Sequence, residues 1–146
     1  SPGLSSAPAV AKEVTKILKA HGDLPAAKTD YRDGRTRVRF KECSPEEKAR
    51  LIAEDQRQMC IRDSCETITE GEILDALHTE IPATTIDGVK RRCNAGMGRC
   101  QGGFCGPRVL ELISKTLGIS PLDVLQDKAG TNVLLCETKQ EGTNHD

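Results

Sequence analysis

The chain has 146 residues, enough for one ordinary domain or two small ones, and a formal net charge of -1 from 21 basic and 22 acidic side chains. That balance supplies no broad electrostatic footprint for nucleic acid or an anionic membrane. No apolar run approaches the ~18 residues needed to span a bilayer, and no basic region followed by an apolar one reads as a leader.

Aromatic side chains are scarce: two Phe, one Tyr and no Trp, with 36% hydrophobic residues in all. Large rings supply much of the buried area of small cores, so a thin core is expected. Such a core calls for a cofactor, a partner or a larger parent chain. Seven cysteines are present. The odd count, without a secretory signal, argues for metal ligation over disulfide staples.

In chain order, SPGLSSAPA (residues 1–9) reads as a turn feeding a helix, capped by Ser5 or Ser6. Val10, Val14, Ile17 and Leu18 recur at helical spacing, and Gly22 closes the element. Residues 22–43 are polar and irregular, with TRVRF (36–40) alternating as a short strand would. Ser44, Pro45 and Glu47 form the start of a second helix, as N-cap, first helical residue and capping-box partner, with its end near Asp55. Thr69 with Glu72 is another capping box, followed by Ile73, Ala76 and Leu77 on one face. Thr84 is expected to cap the next helix, with Asp87 in its first turn and Ile86, Val89 and Cys93 on a face. After a cysteine loop, Pro107 sits in the first turn of a helix striped by Val109, Leu110, Ile113 and Leu117 and stopped by Gly118. Ser120 to Asp123 opens one more short helix, and residues 137–146 read as a polar, disordered tail.

The cysteine loop is MGRCQGGFCGPRV, residues 97–109. Glycines there let backbone N–H groups approach and hydrogen-bond thiolate or sulfide sulfur. Cys105 precedes a helix N-terminus, where a thiolate is favoured, and Arg99 and Arg108 add positive charge. Structural zinc sites more often show C-x2-C knuckles, whereas C-x4-C is commoner in [2Fe–2S] patterns. Spacing alone leaves both metals open.

The run Cys65-Glu66, TEGEI (69–73), DGVKRR (87–92) and GMGRCQGGFCGPRV (96–109) resembles the [2Fe–2S] domain of the bacterioferritin-associated ferredoxin type. More closely, it resembles the version at the C-terminus of FAD-dependent oxidoreductases such as the anaerobic glycerol-3-phosphate dehydrogenase large subunit. The match runs from about Cys65 to about Leu135. SPGLSSAPAV (1–10) is similar to the last glycine turn and helix of that family's flavin domain. The resemblance implies a mainly α fold: a small four-helix, helix-turn-helix-like [2Fe–2S]-binding domain preceded by a helical remnant of a flavin domain. The implied division is a flavin-domain remnant at 1–22, a linker with one helix at 23–58, the cluster domain at 59–136 and the tail at 137–146. It implies a [2Fe–2S] cluster here and FAD in the full-length parent, with Gly3, Leu4 and Ser5 as the flavin contacts this chain would retain.

The family pattern is C-x-C, then about 34 residues, then C-x4-C. Cys65, Cys100 and Cys105 match the second, third and fourth ligands, and the position of the first holds Asp63. The preceding QMCIRDS (58–64) matches the family poorly. Three accounts compete: Asp63 ligates through oxygen, Cys60 replaces it, or QMCIRDS is a sequencing or assembly error. The abruptness of the mismatch favours the last. By chain proximity, Cys100 and Cys105 would share one iron, and Cys65 with the residue near 63 the other. Cys93 falls at an apolar-face spacing and reads as core, while Cys43 and Cys136 match no ligand.

The expected function is electron transfer from flavin to an acceptor in a dehydrogenase of this type, the domain not being catalytic by itself. The implied partners are the flavin domain of the parent chain and an electron-acceptor subunit or a quinone, with no nucleic acid and no transmembrane segment. The expected location is the cytoplasm, with peripheral attachment to the inner face of the membrane through a partner subunit as the variant. The rival class is a zinc-binding or purely structural, partner-docking module. A stand-alone regulatory ferredoxin is a third reading, opposed by residues 1–20. Lys90-Arg91-Arg92 reads as a solvated helix face, with a docking surface for an acidic electron-transfer partner as the alternative.

Overall fold

The computed structural model describes residues 2–22, 24, 26, 28–31, 34 and 37–138. The tail expected at 137–146 lies outside the described residues from 139 onward. The chain divides into two compact units, Ser1–Thr36 and Arg37–Asp146.

The first unit carries α1, Gly3–His21. The capping turn expected at Ser5 or Ser6 does not form. The helix starts earlier, with Pro2 at its N-cap, and the hydroxyls of Ser5 and Ser6 donate back to the Pro2 carbonyl at 3.0 and 2.8 Å. Gly3, Leu4 and Ser5 are therefore helical residues of the first turn. Gly22 adopts the left-handed conformation that ends the helix, as its sequence position predicts. Val10, Val14, Ile17 and Leu18 form the expected stripe, and all four remain exposed.

The second unit opens differently from its sequence reading. Residues 37–39 join no strand, and position 36 lies outside the described residues. Alternation alone does not make a strand without a neighbouring edge to bond. Instead a 3-10 turn, Phe40–Glu42, tucks Phe40 inward. Its amide donates to the Glu72 carboxylate at 3.4 Å, and the Lys48 ammonium lies 5.6 Å from its ring centroid. Helix α2, Pro45–Glu54, has the expected capping box: Ser44 Oγ accepts from the Glu47 amide at 3.2 Å, and Glu47 accepts from the Ser44 amide at 2.8 Å. Residues 37–58 fall in the second compact unit.

A short antiparallel ribbon follows, β1 (Ile61–Asp63) with β2 (Ile68–Thr69), irregular between Ile61 and Asp63. It leads directly into α3, Glu70–Leu77. Thr69 ends β2 and caps α3, accepting from the Glu72 amide at 3.1 Å while its hydroxyl donates to Gln58 at 2.7 Å. Thr69 is fully buried, so its loss leaves Gln58 and the first turn of α3 without partners. Thr69→Ala should cost about 1–3 kcal/mol, above the ~1 kcal/mol of an exposed cap such as Ser44→Ala. Urea unfolding of both variants checks the order.

Helix α4, Ile86–Cys93, is capped by Thr85 and not by Thr84: Thr85 Oγ1 accepts from the Gly88 amide at 3.0 Å. The shift by one residue has a second cause. The Ile86 and Asp87 amides are bonded by the carbonyls of Leu125 and Gln126, at 3.1 and 2.8 Å, which sets where the helix starts. Helix α5, Gly106–Leu117, follows the cysteine loop, and Gly118 stops it as expected. The last short helix is a 3-10 turn, Pro121–Asp123, capped by Ser120. The result is mainly α, with three α-helices and this turn in the place of the four short helices expected.

The core lies between α3, α4 and α5, closed by Ile68 and Val124. Ile73, Val89, Ile113 and Val124 are fully buried, and Cys93 packs among them as its spacing predicts. Aliphatic and small residues fill the space, and no ring takes part in this cluster. No helix is long and apolar enough to cross a membrane among the described residues.

Candidate metal centre

Two loops meet at one end of this core. The first runs from β1 into β2 and carries Asp63 and Cys65. The second joins α4 to α5 and carries Cys100 and Cys105. The thiols of Cys65 and Cys100 stand 3.8 Å apart, and the Cys105 thiol lies 3.3 Å from Asp63 Oδ2. These contacts cross between the loops.

Backbone fit makes the meeting possible. A Cβ built on Gly98 would fall 2.2 Å from Cys65 Cβ and 3.4 Å from its sulfur. Only a glycine lets the second loop lie on Cys65 this closely. Asp63 adds a polar tie. Its Oδ1 accepts from the Glu66 amide at 3.1 Å, and Oδ2 accepts from the Gly96 amide at 2.7 Å. Asp63 is 2% exposed. Burial pushes its carboxyl up, but the amides of Gly96, Glu66 and Cys65 and the Cys105 thiol outweigh it and hold the group below the usual carboxylate range.

The two cysteines of the second loop sit in opposite environments. Cys100 receives the Phe104 amide and those of Gly102 and Gly103, along with the Cys65 thiol, which hold its thiol below the ordinary value against partial desolvation. Gly102, at φ +87°, allows the tight turn here, in which the Gly103 amide donates to the Cys100 carbonyl at 3.0 Å. Cys105 is buried, and burial with the adjacent Asp63 carboxylate pushes its thiol up to about 11. One helix dipole does not offset burial beside a carboxylate.

Cys60 precedes β1, and its carbonyl accepts from the Glu70 amide at 2.8 Å. Asp63 is the residue the fold places beside Cys105. Cys43 accompanies the 3-10 turn, its thiol donating to the Arg39 carbonyl at 3.3 Å, and Cys136 is exposed. In the basic run, Arg91 pairs with Asp127 at 2.5 Å and Arg92 donates to the Ile81 carbonyl at 2.7 Å. Sequence reasoning gave Gly98 a part in wrapping the loop but missed its packing on Cys65 and the tie from Asp63 to Gly96. The glycine at 98 was visible, but what it packs against was not.

No three His, Cys, Asp or Glu side chains among the described residues converge as a cage for a single ion. The polar side chains form two pairs, Cys65 with Cys100 and Cys105 with Asp63. Two thiolates sharing a tetrahedral metal at about 2.3 Å stand about 3.8 Å apart, so the first pair has the span for one metal. The amides directed at Cys100 suit an anionic sulfur. The residues present therefore fit a sulfur-ligated centre.

Residues 64–115 match the family described as the BFD-like [2Fe-2S] binding domain. The match covers the second part of the ribbon, α3, α4, the cysteine loop and most of α5, and therefore Cys65, Cys100 and Cys105. Asp63 lies one residue before its start. Across 142 residues, 97% of this chain, the sequence is 45% identical to a protein from Caloramator mitchellensis named glycerol 3-phosphate dehydrogenase. The chain spans 30% of the length of that relative. No solved structure gives a significant match.

Proposed function

We propose that the chain is the iron–sulfur electron-transfer part of a FAD-dependent dehydrogenase of the glycerol-3-phosphate dehydrogenase type. The observation that carries this reading is the pair of contacts that set Cys65 against Cys100 and Cys105 against Asp63, within and beside a segment that matches a [2Fe–2S]-binding family. Cys65, Cys100 and Cys105 would ligate the cluster, with position 63 as the fourth ligand. When bound, the cluster supplies a one-electron carrier. The chain's own residues hold its sulfur ligands, direct the amides of Gly102, Gly103 and Phe104 at Cys100 and keep solvent from Cys105.

The arrangement in two pairs supports a two-iron centre over zinc, which needs four ligands around one point. FAD belongs to the remainder of the parent protein. Residues 1–22 are assigned to the flavin domain, with Gly3, Leu4 and Ser5 as its contacts, 23–58 to the connection and 59–136 to the cluster domain. The acceptor is a further subunit or a quinone. The proposed location is the cytoplasm, with attachment to the inner face of the membrane through that subunit.

Anaerobic reconstitution with iron and sulfide tests the reading. The loaded protein should bleach with dithionite and recover its colour on reoxidation. A loaded protein that dithionite leaves unchanged would point to a structural site.

Position 63 has its own test. Thiolate binds iron better than carboxylate does, so Asp63→Cys should raise cluster content and slow its loss to chelator. Re-reading the encoding DNA is expected to return a cysteine codon at 63. An aspartate codon there, with lower loading of Asp63→Cys, would point to Cys60 or to the Asp63 carboxylate as the native fourth ligand.

A further inference from the structure

The site contains two thiols that differ from the third. Cys65 is exposed and Cys100 is half-buried, and their sulfurs are 3.8 Å apart. Cys105 is 2% exposed, with its thiol turned to Asp63. A disulfide requires a sulfur separation of about 2 Å, with Cβ atoms about 3.5–4.5 Å apart. The backbone of the second loop already lies against the side chain of Cys65 at Gly98, so little main-chain movement separates the present geometry from a bond. Reagents from solvent reach Cys65 first, whereas Cys105 is shielded.

We propose that Cys65 and Cys100 form a redox-sensitive modification site in the cluster-free protein, closing a cross-loop disulfide with low-molecular-weight disulfides such as oxidised glutathione. The reaction balances as two exchanges. The Cys65 thiolate attacks the glutathione disulfide, forming a mixed disulfide and releasing one glutathione thiolate. The Cys100 thiolate then attacks the Cys65 sulfur and expels the second. Two protein thiols are oxidised, one glutathione disulfide is reduced to two thiols, and the two protons lost by the cysteines end on the two glutathione thiolates. The closed form has lost two ligating sulfurs and cannot accept a cluster. This makes iron loading depend on the thiol–disulfide poise. The consequence for loading rests on the proposed ligand set, whereas the identity of the bonded pair does not.

Peptide mapping separates these claims. Trypsin releases Cys65 in residues 63–90, and Cys100 with Cys105 in residues 100–108. Protein treated with chelator and reductant is exchanged into oxidised glutathione, alkylated without reduction and digested. The expected product is peptide 63–90 joined to peptide 100–108, with Cys105 alkylated, and Cys65→Ser should abolish it. An internal Cys100–Cys105 loop, or glutathione adducts alone, would overturn the proposal. The oxidised protein should take up at least about tenfold less iron and sulfide than the reduced one, and dithiothreitol should restore uptake. Equal loading of both forms would overturn the gating claim. If even the reduced protein takes up no iron and sulfide, the electron-transfer reading and the gating claim fail, and the mapping still decides the disulfide.

Discussion

Cys100→Ser should lose nearly all cluster after anaerobic reconstitution, and Cys65→Ser and Cys105→Ser should each do the same. The expected fall is at least about tenfold in bound iron and sulfide per chain, beyond the lower end of what loss of a supporting residue costs. The reason is geometric. Each thiol reaches the group from a different backbone turn: Cys65 from the ribbon, Cys100 from the amide turn, and Cys105 from the start of α5. Cys93 is locked in the core with its thiol pushed up to about 11 by burial, and its nearest bond is to the Val89 carbonyl at 3.4 Å. Cys43 and Cys136 stand apart from the group, so Cys43→Ser and Cys136→Ser should load as the parent does. The comparison is made on iron, acid-labile sulfide and visible absorbance. A Cys100→Ser protein that loads fully would remove the assignment, and a Cys136→Ser protein that fails to load would relocate it.

Gly98→Ala should be nearly as damaging without touching a ligand. The added methyl would sit 2.2 Å from Cys65 Cβ, a contact no rotamer change of Cys65 relieves, because both atoms are fixed by backbone. The loops must move apart, at a cost of about 1–3 kcal/mol or more for overpacking, and Cys65 leaves Cys100. Loading should fall about tenfold and the melting temperature should drop. Gly106→Ala is the control on the same loop. A Cβ there meets nothing within 4 Å, at the first helical position of α5, where alanine is favoured. That variant should keep its loading and its melting temperature. If Gly98→Ala loads normally, close approach of the loops is not what forms the site.

The parts of the fold written in short-range chemistry were legible in the sequence. Both capping boxes formed, at Ser44 with Glu47 and at Thr69 with Glu72, because each is closed by residues three apart. Gly22 and Gly118 stop their helices for the same local reason. The start of α4 was misplaced by one residue because amides at that end bond carbonyls nearly forty residues away. The ribbon of β1 and β2 was not foreseen: strands of three and two residues carry no alternation to read. TRVRF carries alternation but finds no edge among the described residues, and the burial of Phe40 decides its conformation instead.

The site shows the same division. The cysteine spacing marked Cys65, Cys100 and Cys105 as a set, and the fold sets Cys65 against Cys100 and Cys105 against Asp63. Which residues lie next to which did not follow from spacing. Chain proximity favours Cys100 with Cys105, but the close packing of Gly98 on Cys65 sets Cys100 against the other loop, and Asp63 draws Cys105 aside. Amides converge on Cys100, whereas burial beside a carboxylate governs Cys105.

The most direct measurement is the metal and sulfide content of the purified chain after anaerobic reconstitution in the presence of iron, zinc and sulfide together, read with the visible spectrum. The account predicts about two iron and about two acid-labile sulfide per chain, with the charge-transfer colour of a [2Fe–2S] cluster and little zinc. One zinc per chain, no sulfide and no visible absorbance would contradict it.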